Sequence, residues 1–258
     1  MTSEGTLPPD PFIDIHTHGA GSPSAFTLYN LSAQQLAELV RSGAGEADGE
    51  SGGARMAPAG PLPESLLHRH PRLSAGLHPW AIATSDLAAT LAGLERLARQ
   101  PVVWALGECG LDRLIATPLP QQESVFLRQA EIAAAVDKPL IVHCVRAHNE
   151  LLRLLKRARP GVPVIVHGYN NRPEIAAQLL RQGLYLSFGR ALLDGAAPAR
   201  RVLVECPADC FFLETDDAGV AIETIYAAAA ECRGESLETV RRRIGANFSR
   251  VFSKPSQV

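Results

Sequence analysis

Short apolar runs alternate with amphipathic stretches along most of the chain, and this alternation constrains the fold more than any other feature. Seven runs end in a polar or glycine-containing group: FIDIH (12–16), RLSAGLH (72–78), PVVWALGE (101–108), PLIVHC (139–144), VPVIVHG (162–168), LYLSFG (184–189) and FFLETD (211–216). Stretches with apolar residues at helical spacing lie between several of them, at 119–137, 149–158 and 172–183. Strands that alternate with helices in this way predict βα units around a parallel sheet.

The number of runs predicts a (β/α)8 barrel, an α/β fold. A weaker eighth run, AFTLYN (25–30), completes the strand count, and 258 residues suit that fold. An open doubly wound sheet is the alternative, but no glycine-rich dinucleotide fingerprint follows the first strand. We expect a single domain over residues 1–258, with the Gly-, Ala- and Pro-rich segment 42–64 as a flexible surface excursion. Near the end, Gly234 should terminate one helix and Ser236 should cap the next.

Composition limits the classes of partner. The formal net charge of −2 gives no field that would attract nucleic acid in bulk, so metal ions or a few arginines must hold any phosphate locally. The first residues lack a basic segment followed by an apolar stretch, and no run of 18 apolar residues occurs. The five cysteines form no Cys-x-x-Cys pair, which argues against a disulfide framework. These features predict a cytoplasmic protein with no membrane segment and no obligate protein partner.

Ionisable side chains recur at the ends of the predicted strands. In FIDIHTHG, His16 and His18 share one face of a strand with Asp14, because side chains alternate with a period of two. The carboxyl ends of barrel strands meet on one face, so six groups should converge there: His16, His18, Glu108, His143, His167 and Asp216. Burying these groups together requires positive charge among them. The pattern predicts two divalent metal ions, with Zn²⁺, Mg²⁺ or Mn²⁺ as candidates.

The lysines exclude one kind of binuclear centre. Many barrel metallohydrolases join their two ions with a carbamoylated lysine at a strand end. The chain has three lysines, and Lys138 starts a strand, Lys156 lies in a helix and Lys254 lies in the tail. This argues against a dihydroorotase or phosphotriesterase type of centre and leaves Glu108 as the candidate bridging ligand.

An ordered set of motifs resembles the TatD family of metal-dependent deoxyribonucleases. The motifs run over nearly the whole chain: IDIHTHG, GLHPW, GECGLDRL, IVHC, VIVHGYN, FFLETDD and NFSRVF. The resemblance implies a distorted (β/α)8 barrel that hydrolyses phosphodiesters at a centre of two or three metals. It implies that one ion is held by His16, His18, Glu108 and Asp216, and a second by Glu108, His143 and His167. It also implies that His78 faces the substrate phosphate.

Three departures from the family pattern leave the choice of substrate open. GAGSPSAFTLYN stands where a helix usually joins the first two strands. The HSR motif reads HCVR, so Arg146 comes one place late. The usual ETDAP reads ETDDAG, and the long loop that follows it in the family is missing. Because βα loops shape the substrate pocket, these changes bear on specificity rather than on the metal chemistry.

These observations predict a TatD-type deoxyribonuclease, a 3′–5′ exonuclease with the 3′ end of DNA as its substrate. Asp216 would accept a proton as general base, with Glu108 also in the catalytic set, and His78 and Arg146 would donate to phosphate oxygens. Asp112 is interpreted as a residue that supports a ligand or has a structural role, and Tyr169 either contacts substrate or begins a loop. The alternatives are a hydrolase of small phosphate esters, an amide or ester hydrolase with the same centre, and a metal-binding barrel that acts in an assembly.

Overall fold

The computed structural model describes residues 11–42 and 62–252. Its strands are β1 Phe12–Thr17, β2 Ala25–Asn30, β3 Leu73–Ala75, β4 Val103–Asp112, β5 Leu140–Val145, β6 Val164–Val166, β7 Tyr185–Phe188 and β8 Phe211–Leu213. Its α-helices are α1 Ala33–Ser42, α2 Glu64–Arg69, α3 Leu87–Ala98, α4 Leu119–Val136, α5 His148–Ala158, α6 Pro173–Arg181, α7 Pro198–Glu205, α8 Ile222–Arg233 and α9 Leu237–Phe252. Two 3-10 helices lie at Pro79–Thr84 and Arg190–Leu193. Of the segment predicted to be a flexible excursion, 43–61 lies outside the described residues.

The strands form one eight-stranded sheet whose order follows the chain from β1 to β8. A bridge between Thr17 and Asp216 also joins β1 to β8 in parallel. The predicted (β/α)8 class is therefore confirmed. The weak candidate AFTLYN is strand β2, which pairs directly with β1, and residues 18–24 connect the two without a helix. That departure from the family pattern is confirmed as well.

Contacts within the chain divide it into two compact units. The first takes in the chain up to Tyr29 and from Val166 onward, and the second runs from Asn30 to Ile165. Each unit holds its own part of the core and its own set of ionisable side chains.

In the first unit, α8 and α9 pack against β1 through buried side chains. The Tyr226 hydroxyl lies 3.0 Å from the Ile13 amide nitrogen and donates to its carbonyl at 3.1 Å, while Phe248 packs edge-on against Phe26. Gly234 ends α8 at a φ of 61°, a left-handed conformation that costs glycine little. Ser236 Oγ accepts from the Thr239 amide at 3.1 Å and caps α9. Both predicted helix boundaries are confirmed.

In the second unit, β4 extends further than its apolar run predicts. The expectation that Glu108 ends this strand is wrong, because β4 continues to Asp112 and pairs with β5 at Gly110–His143 and Asp112–Val145. Gly110 permits this approach: a Cβ there would lie 1.9 Å from the His143 carbonyl oxygen. Gln122 of α4 then holds the strand end, accepting from the Asp112 amide at 2.7 Å and donating to its carbonyl at 2.9 Å.

Candidate metal centre

One group of possible ligands lies where β1 meets the segment after β8, and it consists of His16, His18 and Asp216. The ligand atoms of the three side chains lie within 4.8 Å of one another. Asp216 Oδ1 is 3.6 Å from Nε2 of each histidine. The His16 side chain is fully buried, whereas about a third of the Asp216 side chain is exposed. This arrangement presents one open carboxylate beside two imidazoles.

A buried network holds Asp216 in place. Asp14 Oδ1 accepts from the Thr215 amide at 3.1 Å, Asp14 Oδ2 accepts from the Thr215 hydroxyl at 2.6 Å, and that hydroxyl lies 2.8 Å from Thr17 Oγ1. Burial raises the pKa of Asp14 to about 7, against the opposing effect of the hydrogen bonds from Thr215. Asp216 itself has a φ of 52°, a left-handed conformation that Asp adopts more readily than most residues. The network fixes the turn that carries this ligand.

His167 lies in the same unit and is supported by Glu214, a residue that the sequence reasoning missed. Glu214 is fully buried; its Oε1 accepts from the Gly168 amide at 2.6 Å and is 3.5 Å from His167 Nδ1. Burial alone would raise the pKa of Glu214, but hydrogen bonding to His167 and the charges of His167 and His16 lower it below its usual value. The rings of His16 and His167 have centroids 4.4 Å apart. The missed signal was its place in the sequence: Glu214 directly follows the apolar residues of β8 in FFLETD.

The second group of possible ligands lies in the second unit and consists of His78, Glu108 and His143. Glu108 Oε1 is 3.3 Å from His78 Nε2 and 3.1 Å from His143 Nδ1, and the ligand atoms again lie within 4.8 Å of one another. His78 caps the first 3-10 helix, where its Nδ1 accepts from the Trp80 amide at 3.2 Å. The geometry therefore groups His78, predicted as a substrate contact, with Glu108 and His143.

Asp112 lies behind His143. Its Oδ2 is 3.3 Å from His143 Nε2 and accepts from the Trp80 indole N–H at 2.8 Å, while Oδ1 accepts from the Leu114 amide at 2.8 Å. Burial alone would raise the pKa of the Asp112 carboxyl, but hydrogen bonds from Trp80, the Leu114 amide and His143 lower it below its usual value. A carboxylate behind a ligand histidine fixes the ring orientation. Asp112 is thus placed where it can orient the His143 ring.

Three other predicted residues take distinct places. Arg146 is exposed at the end of β5, with a φ of 51°. Tyr169 is buried and its hydroxyl donates to the Arg172 carbonyl at 2.9 Å, which favours the loop-forming alternative over substrate contact. Lys138 Nζ donates to the carbonyls of Ala98 and Gln100, at the start of β5 rather than at its carboxyl end. Lys138 is thus placed as predicted, away from any bridging position.

A cavity of about 770 Å³ opens beside Asp216 in the first unit. Its lining includes Glu214, Asn170 and the exposed Arg190 of the second 3-10 helix. A second cavity, of about 550 Å³, is also lined by Asp216, together with His18 and residues 19–23. Asp216 therefore borders two cavities.

Each group fits a divalent ion. Imidazole nitrogen and carboxylate oxygen are ordinary ligands of Zn²⁺ and Mn²⁺, and the three donors of each group converge within the range that one ion spans. A carboxylate supports a histidine from behind in both units: Asp112 at His143 and Glu214 at His167. These supports are typical of metal sites, in which the second nitrogen of a ligand histidine is held by a carboxylate.

Comparison with known proteins identifies the family. The family model described as TatD related DNase matches residues 65–253. The chain belongs to the TatD family. It is 32% identical over 218 residues to the 3′-5′ ssDNA/RNA exonuclease TatD of Erwinia billingiae, covering 75% of this chain and 83% of the relative. With the protein of the same name from Cronobacter turicensis the identity is 37% over 149 residues, and the match spans about half of each chain, 55% and 56%.

The TatD fold is also found among solved structures. The TatD homologue YjjV of Escherichia coli K12 superposes with a TM-score of 0.75 over 95% of this chain and 98% of that one, at 22% sequence identity. The long loop that follows the position of Asp216 in the family pattern is short in this chain. Helix α8 begins at Ile222, so only residues 217–221 separate it from Asp216, and the predicted short connection is confirmed. None of the described helices has the length and apolar character needed to cross a membrane.

Proposed function

We propose that this chain is a metal-dependent hydrolase of phosphodiester bonds, acting as a TatD-type exonuclease on the 3′ end of DNA. The observation that carries the proposal is the pair of His/carboxylate groups, one in each unit. Relatives named 3′-5′ ssDNA/RNA exonuclease support the substrate class.

In this proposal His16, His18 and Asp216 hold one ion, and Glu108 and His143 hold a second; Zn²⁺, Mg²⁺ and Mn²⁺ are the candidates. The ligand role of His167 and the bridging role of Glu108 remain predictions from the family resemblance. Two divalent ions held there would supply Lewis-acid chemistry: they would polarise phosphoryl oxygens and would lower the pKa of a nucleophilic water to near neutrality.

The side chains of this protein then position the substrate and move the proton. The partly exposed Asp216 carboxylate accepts the proton of the attacking water, and the Asp14–Thr215 network holds it in place while it does so. His78 donates to a phosphate oxygen through Nε2, because its Nδ1 accepts from the Trp80 amide. Arg146, which is exposed, adds a positive charge to the substrate-binding set.

A hydrolase of small phosphate esters is the second candidate. The short connection after Asp216 leaves little protein there to contact a nucleic acid strand. The net charge of −2 also gives no bulk electrostatic attraction for such a strand. An amide or ester hydrolase with the same groups has less support, because the described lysines lie away from the carboxyl ends of the strands.

The deciding experiment uses a 5′-labelled single-stranded oligonucleotide with Mg²⁺ or Mn²⁺. The wild-type protein should shorten it from the 3′ end, a chelator should stop the reaction, and Asp216→Asn should lower kcat/KM by roughly 10²- to 10⁴-fold. Asp217→Asn is the matched control, since it removes the same charge from the exposed neighbour and should leave the rate unchanged. An intact oligonucleotide from protein that still carries bound metal would overturn the nuclease assignment, and small phosphate esters would be tested next.

A further inference from the structure

Trp80 exposes a large aromatic surface beside the second ligand group. The residue is 66% exposed, although it lies in the 3-10 helix that directly follows His78. Its one polar atom is already used, because the indole N–H donates to Asp112. What remains open to solvent is therefore the apolar carbon surface of the ring, which gains free energy when another apolar surface covers it.

The ring is held in place before any ligand arrives. The indole N–H is tied to Asp112 at 2.8 Å, and the Trp80 amide is tied to His78 Nδ1 at 3.2 Å. The ring stands nearly perpendicular to that of His78, with centroids 5.0 Å apart, and at 77° to that of His143, with centroids 6.2 Å apart. An aromatic surface fixed in this way loses little conformational entropy when it binds a second flat group.

We propose that Trp80 is a stacking platform for a nucleobase of the substrate. The inference rests on the proposed function and adds to it a residue that stacks against the base. The neighbouring His78, Glu108 and His143 would then bind the phosphate, directly or through an ion. The Trp80 ring lies beside this group of side chains, as the base of a nucleotide lies beside its phosphate. Stacking on an aromatic face accepts every base, because each has a π surface, so the contact would favour nucleotides over other phosphate esters without reading sequence.

A purely structural role for Trp80 would consist of its hydrogen bond to Asp112. That bond uses one edge of the indole and leaves the exposed surface unexplained. The two roles are separable by substitution, because Trp80→Phe keeps an aromatic face and loses the N–H, whereas Trp80→Ala loses both.

The first test compares two oligonucleotides that differ only in the 3′-terminal residue, which is either a normal nucleotide or an abasic tetrahydrofuran analogue. For the wild type, kcat/KM for the base-bearing substrate should exceed that for the abasic one by roughly 5- to 150-fold, the range that stacking supplies. Trp80→Ala should bring this ratio close to one, and Trp80→Phe should keep most of it. Asp112→Asn is the control for a structural effect: it keeps an oxygen that can accept from the indole N–H but removes the charge beside His143, so it should slow both substrates and leave the ratio unchanged.

The second test measures binding without turnover. The chain has two tryptophans, so Trp104→Phe leaves Trp80 as the sole tryptophan fluorophore. With Mg²⁺ present, deoxynucleoside monophosphates should quench its emission by stacking, and 2-deoxyribose 5-phosphate should not. Trp104→Tyr serves as the second background if the phenylalanine variant does not fold.

The outcomes separate this inference from the proposed function. Oligonucleotide cleavage with a ratio near one in the wild type, or the same ratio in Trp80→Ala, would overturn the stacking role and leave the nuclease assignment intact. Quenching by the nucleotides in a protein that cleaves no oligonucleotide would support the stacking role while the nuclease assignment fails. Absence of quenching by every nucleotide would overturn the stacking role.

Discussion

His148 begins α5 and illustrates a residue whose environment, rather than its type, decides what it does. It follows the ligand His143 by five residues in HCVRAH, yet it is buried, and burial lowers its pKa while Glu150 opposes the shift. The folded protein therefore disfavours the protonated imidazole relative to the unfolded chain. The unfolded chain takes up the proton first as the pH falls below about 6.5, the ordinary histidine pKa.

The expected result of His148→Gln follows from the lowered pKa of His148 in the folded protein. In the wild type, protonation of the unfolded chain lowers the free energy of unfolding between pH 7 and pH 5, with a slope of up to about 1.4 kcal/mol per pH unit from this residue. His148→Gln should remove that part of the slope, and His68→Gln, a change at an exposed histidine, should not. Urea unfolding at a series of pH values measures the difference. Parallel curves for all three proteins would contradict the prediction.

Some residues of the site could be predicted from the sequence, and others could not. His16, His18 and Asp216 could be predicted as members of a set of six because each comes at the end of an apolar run, whereas their assignment to one ion came from the family resemblance. The grouping of His78 with Glu108 and His143 could not, because it depends on the 3-10 helix that begins after His78. Glu214 escaped notice because a buried carboxylate next to an apolar run looks like a strand end until its partner, His167, is known.

Among the elements, β4 and β5 form the contact on which the second ligand group depends. Gly107 and Gly110 both lie on β4 at positive φ, of 150° and 144°, where side chains are strained. The sequence reasoning ended this strand at Glu108, where the apolar run 101–108 stops. In the structure the same glycines let β4 lie against β5, so the strand continues and carries Glu108 to His143.

Gly110→Ala should therefore damage the fold as well as the site. The added Cβ would lie 1.9 Å from the His143 carbonyl oxygen, and the backbone angle would be strained for alanine. We expect a loss of about 2–6 kcal/mol in the free energy of unfolding, measured by urea denaturation. Gly245→Ala in α9 is the matched control: its Cβ would meet nothing within 4 Å, and alanine should add about 0.5–1 kcal/mol of helix stability. Equal stabilities of Gly110→Ala and the wild type would contradict this account.

Helices and short strands differed in how well the sequence predicted them. The helices α4, α5 and α6 begin and end within a residue or two of the stretches with helical spacing, because several turns repeat the apolar pattern. Strands β3, β6 and β8 have three residues each, too few to show an alternating pattern. Their runs were recognised by apolar content alone, so their bounds were predicted less closely.

For the whole molecule, the main observation is that each compact unit carries its own group of side chains that could hold a metal ion. The sequence predicted the six ionisable residues from the barrel order of the strands. It could not predict how they divide, because that depends on which parts of the chain pack together.

An ion that binds only the folded protein stabilises it, by about 2.7 kcal/mol at a hundredfold excess over Kd.

Two histidine substitutions test the two groups separately. The wild type should carry about two ions per chain, and His18→Asn and His143→Asn should each lose about one, as measured by plasma mass spectrometry after gel filtration. A chelator should lower the melting temperature of the wild type more than that of either variant. Unchanged metal content in either variant would show that its group holds no ion.

The seam between β1 and the segment after β8 is formed by three of the candidate metal ligands. The His18 amide donates to the Asp216 carbonyl at 3.1 Å, and the Asp216 amide donates to the His16 carbonyl at 2.9 Å. The backbone atoms that close the seam therefore belong to the same three residues that present the first ligand group. An inherited insertion or deletion at this seam would alter strand pairing and ligand alignment together, so evolution can vary the surrounding loops freely but must keep this junction as one unit.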